Sequence, residues 1–133
     1  MRSYSLGRAG EESAALFLTE HGCTILARNL RIGHYEIDIL AQDDRHLIFA
    51  EVKTRRAVPG HSVPFGRPAN AVDLRKRDCL REAVRLYWKE QKHAFPGLTP
   101  NIDVIEVYVD PYSDLYRVLD IKRYPNAVTG MKG

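Results

Sequence analysis

The chain has 133 residues, enough for one domain with a real core and too few for two. Apolar residues make up 44% and charged residues 28%, ordinary for a globular protein, and no apolar run approaches the ~20 residues of a membrane span. The net charge of +3 does not by itself call for a nucleic-acid partner, but nine Lys/Arg face only three Asp/Glu between Lys53 and Arg85, so one stretch is locally basic.

No apolar h-region follows Met1, so no signal peptide is visible. Cys23 and Cys79 stand alone, without metal-ligand or redox spacing. They read as ordinary thiols in a reducing compartment, which makes a cytoplasmic location the expectation. There are no repeats and no low-complexity tracts.

Ser5 is placed to cap a first helix that runs to about His21, with Gly22 as its stop. The stripe 11, 14, 15, 18 carries Glu11 along the buried edge of that helix, whereas Glu12 should face solvent. Strands are expected at Thr24–Leu30, Tyr35–Gln42 and Leu47–Thr54, the last two joined across Asp43-Asp44-Arg45-His46 as a hairpin. Residues 57 to 68 hold three prolines and two glycines and form a long loop. A second helix starts near Asn70 or Asp73 and continues to Lys92. Leu80, Ala83, Val84 and Tyr87 form its apolar stripe, and Arg77, Arg81 and Arg85 a basic one. A closing hairpin follows, Ile102–Val109 and Tyr116–Ile121, and the tail after Tyr124 should fray. The order α-β-β-β-α-β-β, with a parallel crossover through the second helix, predicts an α/β fold: a mixed central sheet flanked by helices.

The chemistry concentrates in Tyr35-Glu36-Ile37-Asp38-Ile39 and Phe49-Ala50-Glu51-Val52-Lys53. Alternation puts Glu36 with Asp38 on one face and Glu51 with Lys53 on one face. A turn centred between Asp44 and Arg45 pairs residues whose numbers sum to 89, so Asp38 falls opposite Glu51 and Glu36 opposite Lys53; a slip of one residue would separate the two acids. Opposed carboxylates about 5 Å apart repel by roughly 3 kcal/mol at an effective dielectric of about 20, and by only about 0.8 kcal/mol in open water. On an exposed hairpin the pair is merely a solvated surface. In a cleft, one acid holds a proton or a cation lies between them, and oxygen ligands of this kind suit Mg²⁺ or Mn²⁺. Lys53 can reach the same place and stabilise charge building on a phosphate. Glu11 could ligate directly or through water.

Asp38 followed by Glu51-Val52-Lys53 on the next strand resembles the PD-(D/E)xK nuclease superfamily, with Glu11 in the place of its helix-borne acid. Gly7-Arg8-Ala9-Gly10-Glu11, Asn29, Glu36-Ile37-Asp38, Phe49 to Arg55, Phe65-Gly66, Lys76 and Asp103-Val104 extend the match to the small bacterial YraN-like family. That family is itself similar to archaeal Holliday-junction resolvases. The resemblance covers about residues 5 to 110 and implies a restriction endonuclease-like fold with a Mg²⁺-type site. It gives Asp38, Glu51 and Glu11 as metal ligands, Lys53 as the catalytic lysine, and a nucleic acid, DNA foremost, as substrate. Two positions depart from the pattern: Tyr35 stands where the family has glycine, and Pro100-Asn101 replaces a basic residue.

Arg55, Arg56, Lys76, Arg77, Arg81 and Arg85 are the candidate phosphate contacts. Glu36 reads as the ion-pair partner of Lys53. The five histidines lack ligand spacing, and Tyr87 and Trp88 read as core. One domain is expected over residues 1–124, with a flexible tail at 125–133. The leading expectation is a metal-dependent endonuclease hydrolysing phosphodiesters in branched or structured DNA, with a homodimer as the counterpart of a two-fold symmetric junction. The rival is an accessory module that binds nucleic acid on the same fold without cutting it.

Overall fold

The computed structural model describes residues 5–61 and 74–128. The elements are α1 (Leu6–Glu20), β1 (Thr24–Ile32), β2 (Tyr35–Gln42), β3 (His46–Arg56), α2 (Leu74–Gln91), a 3₁₀ turn (Lys92–Ala94), β4 (Thr99–Val109) and β5 (Val118–Tyr124). This is the expected order. The five strands form one sheet in sequence order, β1 to β5. Every neighbouring pair is antiparallel except β3 and β4, which are parallel and joined through α2. The fold class is therefore α/β, a mixed five-stranded sheet with helices packed on it, of the restriction endonuclease-like kind expected.

Helix α1 begins where Ser5 Oγ accepts the amide of Arg8 at 3.1 Å, and stops before Gly22, which takes φ +89. Its Ala14 and Leu18 pack with Ile39, Ala50 and Val107 on one side of the sheet. On the other side, Leu80, Val84 and Trp88 of α2 pack with Ile37, Leu47 and Phe49, and Tyr87 sets its ring edge against Phe49 at 5.6 Å. Tyr87 and Trp88 are core residues, as read. Both cysteines are free, Cys23 buried and Cys79 exposed.

The β2–β3 register obeys the sum of 89 at all four of its pairs, from Gln42–Leu47 to Ile39–Ala50. The turn is built by Asp43, whose Oδ1 accepts the amides of Arg45 (2.8 Å) and His46 (2.7 Å).

Several strand boundaries differ from expectation, and β5 also runs on past Ile121 to Tyr124. Strands β1 and β3 each run two residues further, to Ile32 and Arg56. Strand β4 starts earlier, at Thr99, because Thr99 donates its amide to Arg45 and extends the ladder past Pro100. Strand β5 starts later, at Val118, because Leu115 and Tyr116 sit at φ +58 and +54 and cannot belong to a strand. The expected fraying after Tyr124 is not what residues 125–128 do. The Asn126 amide donates to Asp103 Oδ1 at 2.8 Å, and Val128 is 2% exposed against the α2-side core. The rest of the expected tail, 129–133, lies outside the described residues, as do 62–68 of the long loop, Phe65-Gly66 included, and the start expected for α2 at Asn70 or Asp73.

A candidate metal and phosphate site where two strands part

The site forms where the sheet stops being regular. Residues i and i+2 of a strand share a face, yet Ile39 packs with α1 while Ile37 packs with α2. The alternation breaks at Asp38, between them. On the neighbouring strand the ladder passes from Arg28–Ile39 to Leu30–Ile37 without pairing Asn29 to Asp38, and Asn29 takes φ +53. Asparagine is among the few residues that adopt this region readily. On the other flank the β2–β3 ladder ends at Ile39–Ala50. The next step would have set Asp38 opposite Glu51 in ordinary pairing. Instead Asp38 turns its carboxylate into the gap, and Oδ2 accepts the backbone amide of Val52 at 2.8 Å.

Glu51 is 7% exposed, an unusual place for a carboxylate. Its Oε1 accepts the Tyr35 hydroxyl at 3.4 Å, and its Oε2 lies 3.9 Å from Lys76 Nζ at the start of α2. Lys53 follows on the same face of β3 and feels both Lys76 and Glu51. Glu11 arrives from α1. Gly10, beside it, lets the helix approach β3 so closely that an added Cβ would overlap Thr54 Oγ1 and lie 3.0 Å from Thr54 Cβ. At that distance Glu11 Oε1 accepts Asn29 Nδ2 at 3.4 Å.

The electrostatics follow from burial. Desolvation is the main cause that pushes the Asp38 carboxyl up to about 7, opposed by the Val52 amide and aided by the charges of Glu51, Glu11 and Glu36. Burial also raises Glu51, while Lys76, Lys53 and the Tyr35 hydroxyl pull it back and Glu11 adds repulsion. Burial, and then the neighbouring Lys76, lower Lys53 below the ordinary lysine range. Two acids raised by burial and a crowded pair of amines thus share one partly enclosed place.

The donor set fits a hard divalent ion of the Mg²⁺ or Mn²⁺ type. Such ions take one or two protein carboxylates and keep several waters or phosphate oxygens. Asp38 and Glu51 are the two carboxylates, and a cation between them would remove the charge penalty that burial imposes on both. Among the described residues, no three His, Cys, Asp or Glu converge into a ready-made cage. This chain therefore offers an open two-carboxylate site, with Glu11 near enough to be felt by both acids.

The remaining candidates are distributed as follows. Arg55 Nη2 contacts Glu106 Oε2 at 3.2 Å, and Arg56 is exposed at the end of β3. Lys76 reaches Glu51. Arg81 pairs with Asp78 (2.6 Å) and Arg85 with Glu82 (3.3 Å) on their own helix, and the buried Nε of Arg77 has no hydrogen-bond partner among the described residues. The expected Glu36–Lys53 ion pair does not form: the strands have parted before that point, Glu36 is exposed and pairs across to Arg31 of β1, and Lys53 answers instead to Lys76 and Glu51. Three contributors were not assigned these roles by sequence reasoning. Lys76 comes from across a long connection, so no local pattern could place it on Glu51. Tyr35 showed only as a departure from a glycine. Asn29 did leave a signal, a poor strand former inside a strand.

A mixed sheet of this order, with its acids gathered where two strands separate, defines the class: a restriction endonuclease-like α/β domain. Residues 10–107 match the family described as "Uncharacterised protein family UPF0102", and this chain belongs to it, in agreement with the YraN-like resemblance. A UPF0102 protein of Caldicellulosiruptor saccharolyticus is 36% identical over 127 residues, covering 96% of this chain and 99% of that one. Another, from Syntrophomonas wolfei, is 39% identical over 105 residues, covering 79% and 85%. Among solved structures there is a loose likeness to Pyrococcus furiosus SfsA in complex with Ca²⁺: TM-score 0.37, 14% identity, 88% of this chain and 58% of that one. No helix among the described residues is long and apolar enough to cross a membrane.

Proposed function

We propose that this protein is a divalent-metal-dependent nuclease that hydrolyses phosphodiesters in DNA, branched or structured DNA in particular. The observation that carries the reading is the pair of desolvated carboxylates, Asp38 and Glu51, set where β2 and β3 part, with the Lys53 and Lys76 amines beside Glu51. Acids buried next to amines in this way are costly to fold and useful for handling phosphate.

When bound, a Mg²⁺-type ion would supply Lewis acidity, making a hydrolytic water more acidic and drawing charge off the phosphate. Asp38 and Glu51 would hold it directly, with Glu11 joining through water. The Val52 amide fixes Asp38 so that the carboxylate faces the gap and does not rotate into solvent. Lys53 lies on the same strand face as Glu51, and its ammonium stabilises negative charge on the phosphate as the ester bond breaks. Lys76 adds a second positive charge and pulls the raised Glu51 carboxyl back down. Arg55, Arg56, Arg77, Arg81 and Arg85 extend the positive surface along which a polyanion is held. The branched-DNA preference, and the homodimer that a two-fold junction calls for, rest on the family resemblance.

The test uses four-way junctions, flaps, single strands and RNA, each incubated with the protein in Mg²⁺ and in Mn²⁺ beside an Asp38→Asn variant. Cleavage that vanishes in the variant is the expected result. Tight, salt-sensitive binding with no cleavage in either metal would overturn the nuclease reading in favour of the accessory module.

A further inference from the structure

The face of β3 that carries Glu51 and Lys53 continues to Arg55. The intervening Ala50 and Val52 belong to the α1-side core, and Thr54 meets Gly10 of α1, so Glu51, Lys53 and Arg55 share the opposite face. The neighbouring strand β4 alternates likewise. Ile105, Val107 and Val109 pack towards α1, leaving Glu106 and Tyr108 on the face of the site. In the parallel register Lys53 lies beside Glu106.

Glu106 is only 4% exposed, and the catalytic scheme above does not use it. Its Oε2 accepts Arg55 Nη2 at 3.2 Å, its Oε1 accepts the Tyr108 hydroxyl at 2.8 Å, and Tyr124 of β5 bonds to it as well. A carboxylate gripped from three sides cannot follow a moving partner. It holds one nitrogen of a guanidinium that has five N–H donors in a fixed fork. Arg55 is itself about one-third exposed, so the rest of that fork is presented, already oriented, next to the site. Residues two apart on one strand face are about 7 Å apart. That is also the separation of successive phosphates along one nucleic-acid strand, so Lys53 and Arg55 are spaced to meet consecutive phosphates.

We infer that Arg55 is the binding residue for the phosphate adjacent to the one cut, and that Glu106 is a positioning residue that holds the Arg55 fork for it. The inference rests on the nuclease reading and deepens it: the strand of the substrate runs along β3, from the Glu51–Lys53 end towards Arg55.

The test is a four-way DNA junction in which a single neutral methylphosphonate linkage is walked along one strand. Binding is followed by fluorescence anisotropy at several salt concentrations, and the cut position is mapped separately on the unmodified junction. For the wild-type protein, affinity should fall about tenfold when the neutral linkage sits next to the cut phosphate, the size of loss expected for one charged bidentate contact. Arg55→Gln should lose a similar factor on the unmodified junction, show a salt slope smaller by about one, and become indifferent to the neutral linkage at that step. Glu106→Gln separates positioning from charge. It removes a negative charge, so a purely electrostatic or structural glutamate predicts binding equal to or tighter than wild type, whereas a positioning glutamate predicts weaker binding. Arg55→Lys keeps the charge without the fork and should behave like Glu106→Gln.

If Glu106→Gln does not fold, the linkage walk on the wild type and on Arg55→Gln decides alone: no neutral-linkage position whose penalty disappears in Arg55→Gln overturns the inference. Junctions cut in an Asp38-dependent way but bound equally by wild type and Arg55→Gln would overturn this inference and leave the nuclease reading standing. A wild-type protein that neither binds nor cuts the junction would remove both.

Discussion

At the scale of single residues, Asp38 and Asp43 show opposite consequences of placing a carboxylate in a folded chain. Burial raises Asp38 to about 7. Between the ordinary aspartate value, about 4, and that raised value, the native state holds a proton that the unfolded chain has released, so metal-free stability falls as pH rises across this window. Urea unfolding in EDTA from pH 5 to pH 8 should show the decline, and Asp38→Asn, which cannot ionise, should flatten it. On the proposed nuclease reading the same variant should lose at least about 100-fold in cleavage with Mg²⁺, since that reading makes Asp38 a ligand and not a supporting group. A flat wild-type profile would mean that Asp38 is not desolvated in solution. For Asp43, burial alone would raise the carboxyl, but the amides of Arg45 and His46 and the His46 ring more than reverse this and hold it low. The turn is therefore stabilised above the unfolded value of about 4, and that contribution disappears as pH falls through the depressed native value. Asp43→Ala should cost about 1 kcal/mol at pH 7, the loss of backbone bonds to a charged acceptor. The gap from wild type should close below about pH 4, read from urea midpoints at both pH values.

At the scale of elements, the decisive contact is α1 on β3 at Gly10 and Thr54. Thr54 is β-branched and held in a strand, so its Oγ1 cannot simply swing aside for a new methyl. Gly10→Ala should therefore push the helix outward at a cost of about 1–3 kcal/mol. It should also weaken metal binding, because Glu11 moves with the helix. Adding Thr54→Ala should recover part of the stability, since it deletes Oγ1 and Cγ2 while the 3.0 Å approach to Cβ remains. Additive losses in this double-mutant cycle, followed by thermal denaturation and Mn²⁺ titration, would show that the two residues do not touch. What the sequence disclosed at this scale has a physical pattern. The β2–β3 hairpin was readable to its register because Asp43-Asp44-Arg45-His46 is a short polar break between β-branched and aromatic runs, and a two-residue side-chain period admits only one register that buries both strands. The two acids could therefore be brought together on paper. What could not be read was that the strands separate at Asp38, because that depends on Asn29 of a different strand entering a left-handed conformation. Idealised pairing continued past Ile39–Ala50, where the ladder ends, and produced a Glu36–Lys53 pair that does not exist. Lys76 was read as a phosphate contact, and its tie to Glu51 waited on the packing of α2.

At the scale of the whole molecule, the sheet is fastened on one face, while Glu51 and Lys53 stand on the other. Asp103 lies on the same face of β4 as Ile105 and Val107, against α1, and is completely buried. Arg123 of β5 donates to its Oδ2 from Nε (2.9 Å) and from Nη2 (2.8 Å), while Asn126 takes Oδ1 through its backbone amide. One carboxylate thus joins β4, β5 and the segment leading to Val128, which plugs the α2-side core. A buried pair of this kind need add little net stability over an apolar replacement, but removing one partner strands a charge. Arg123→Met should accordingly cost about 3–5 kcal/mol, with loosening of β5 and residues 125–128. The double variant Asp103→Leu with Arg123→Met should be less damaged than the single one, because nothing charged remains buried. Mn²⁺ affinity should be unchanged in whatever fraction stays folded, since Asp38, Glu51 and Lys53 are held by β2, β3 and α2 and touch none of these groups. Hydrogen exchange and chemical denaturation would read the first two expectations, and metal titration well below the melting temperature the third. Loss of metal affinity in a folded Arg123→Met protein would mean that the fastening on one face sets the geometry of the acids on the other, and that the two faces form one cooperative unit.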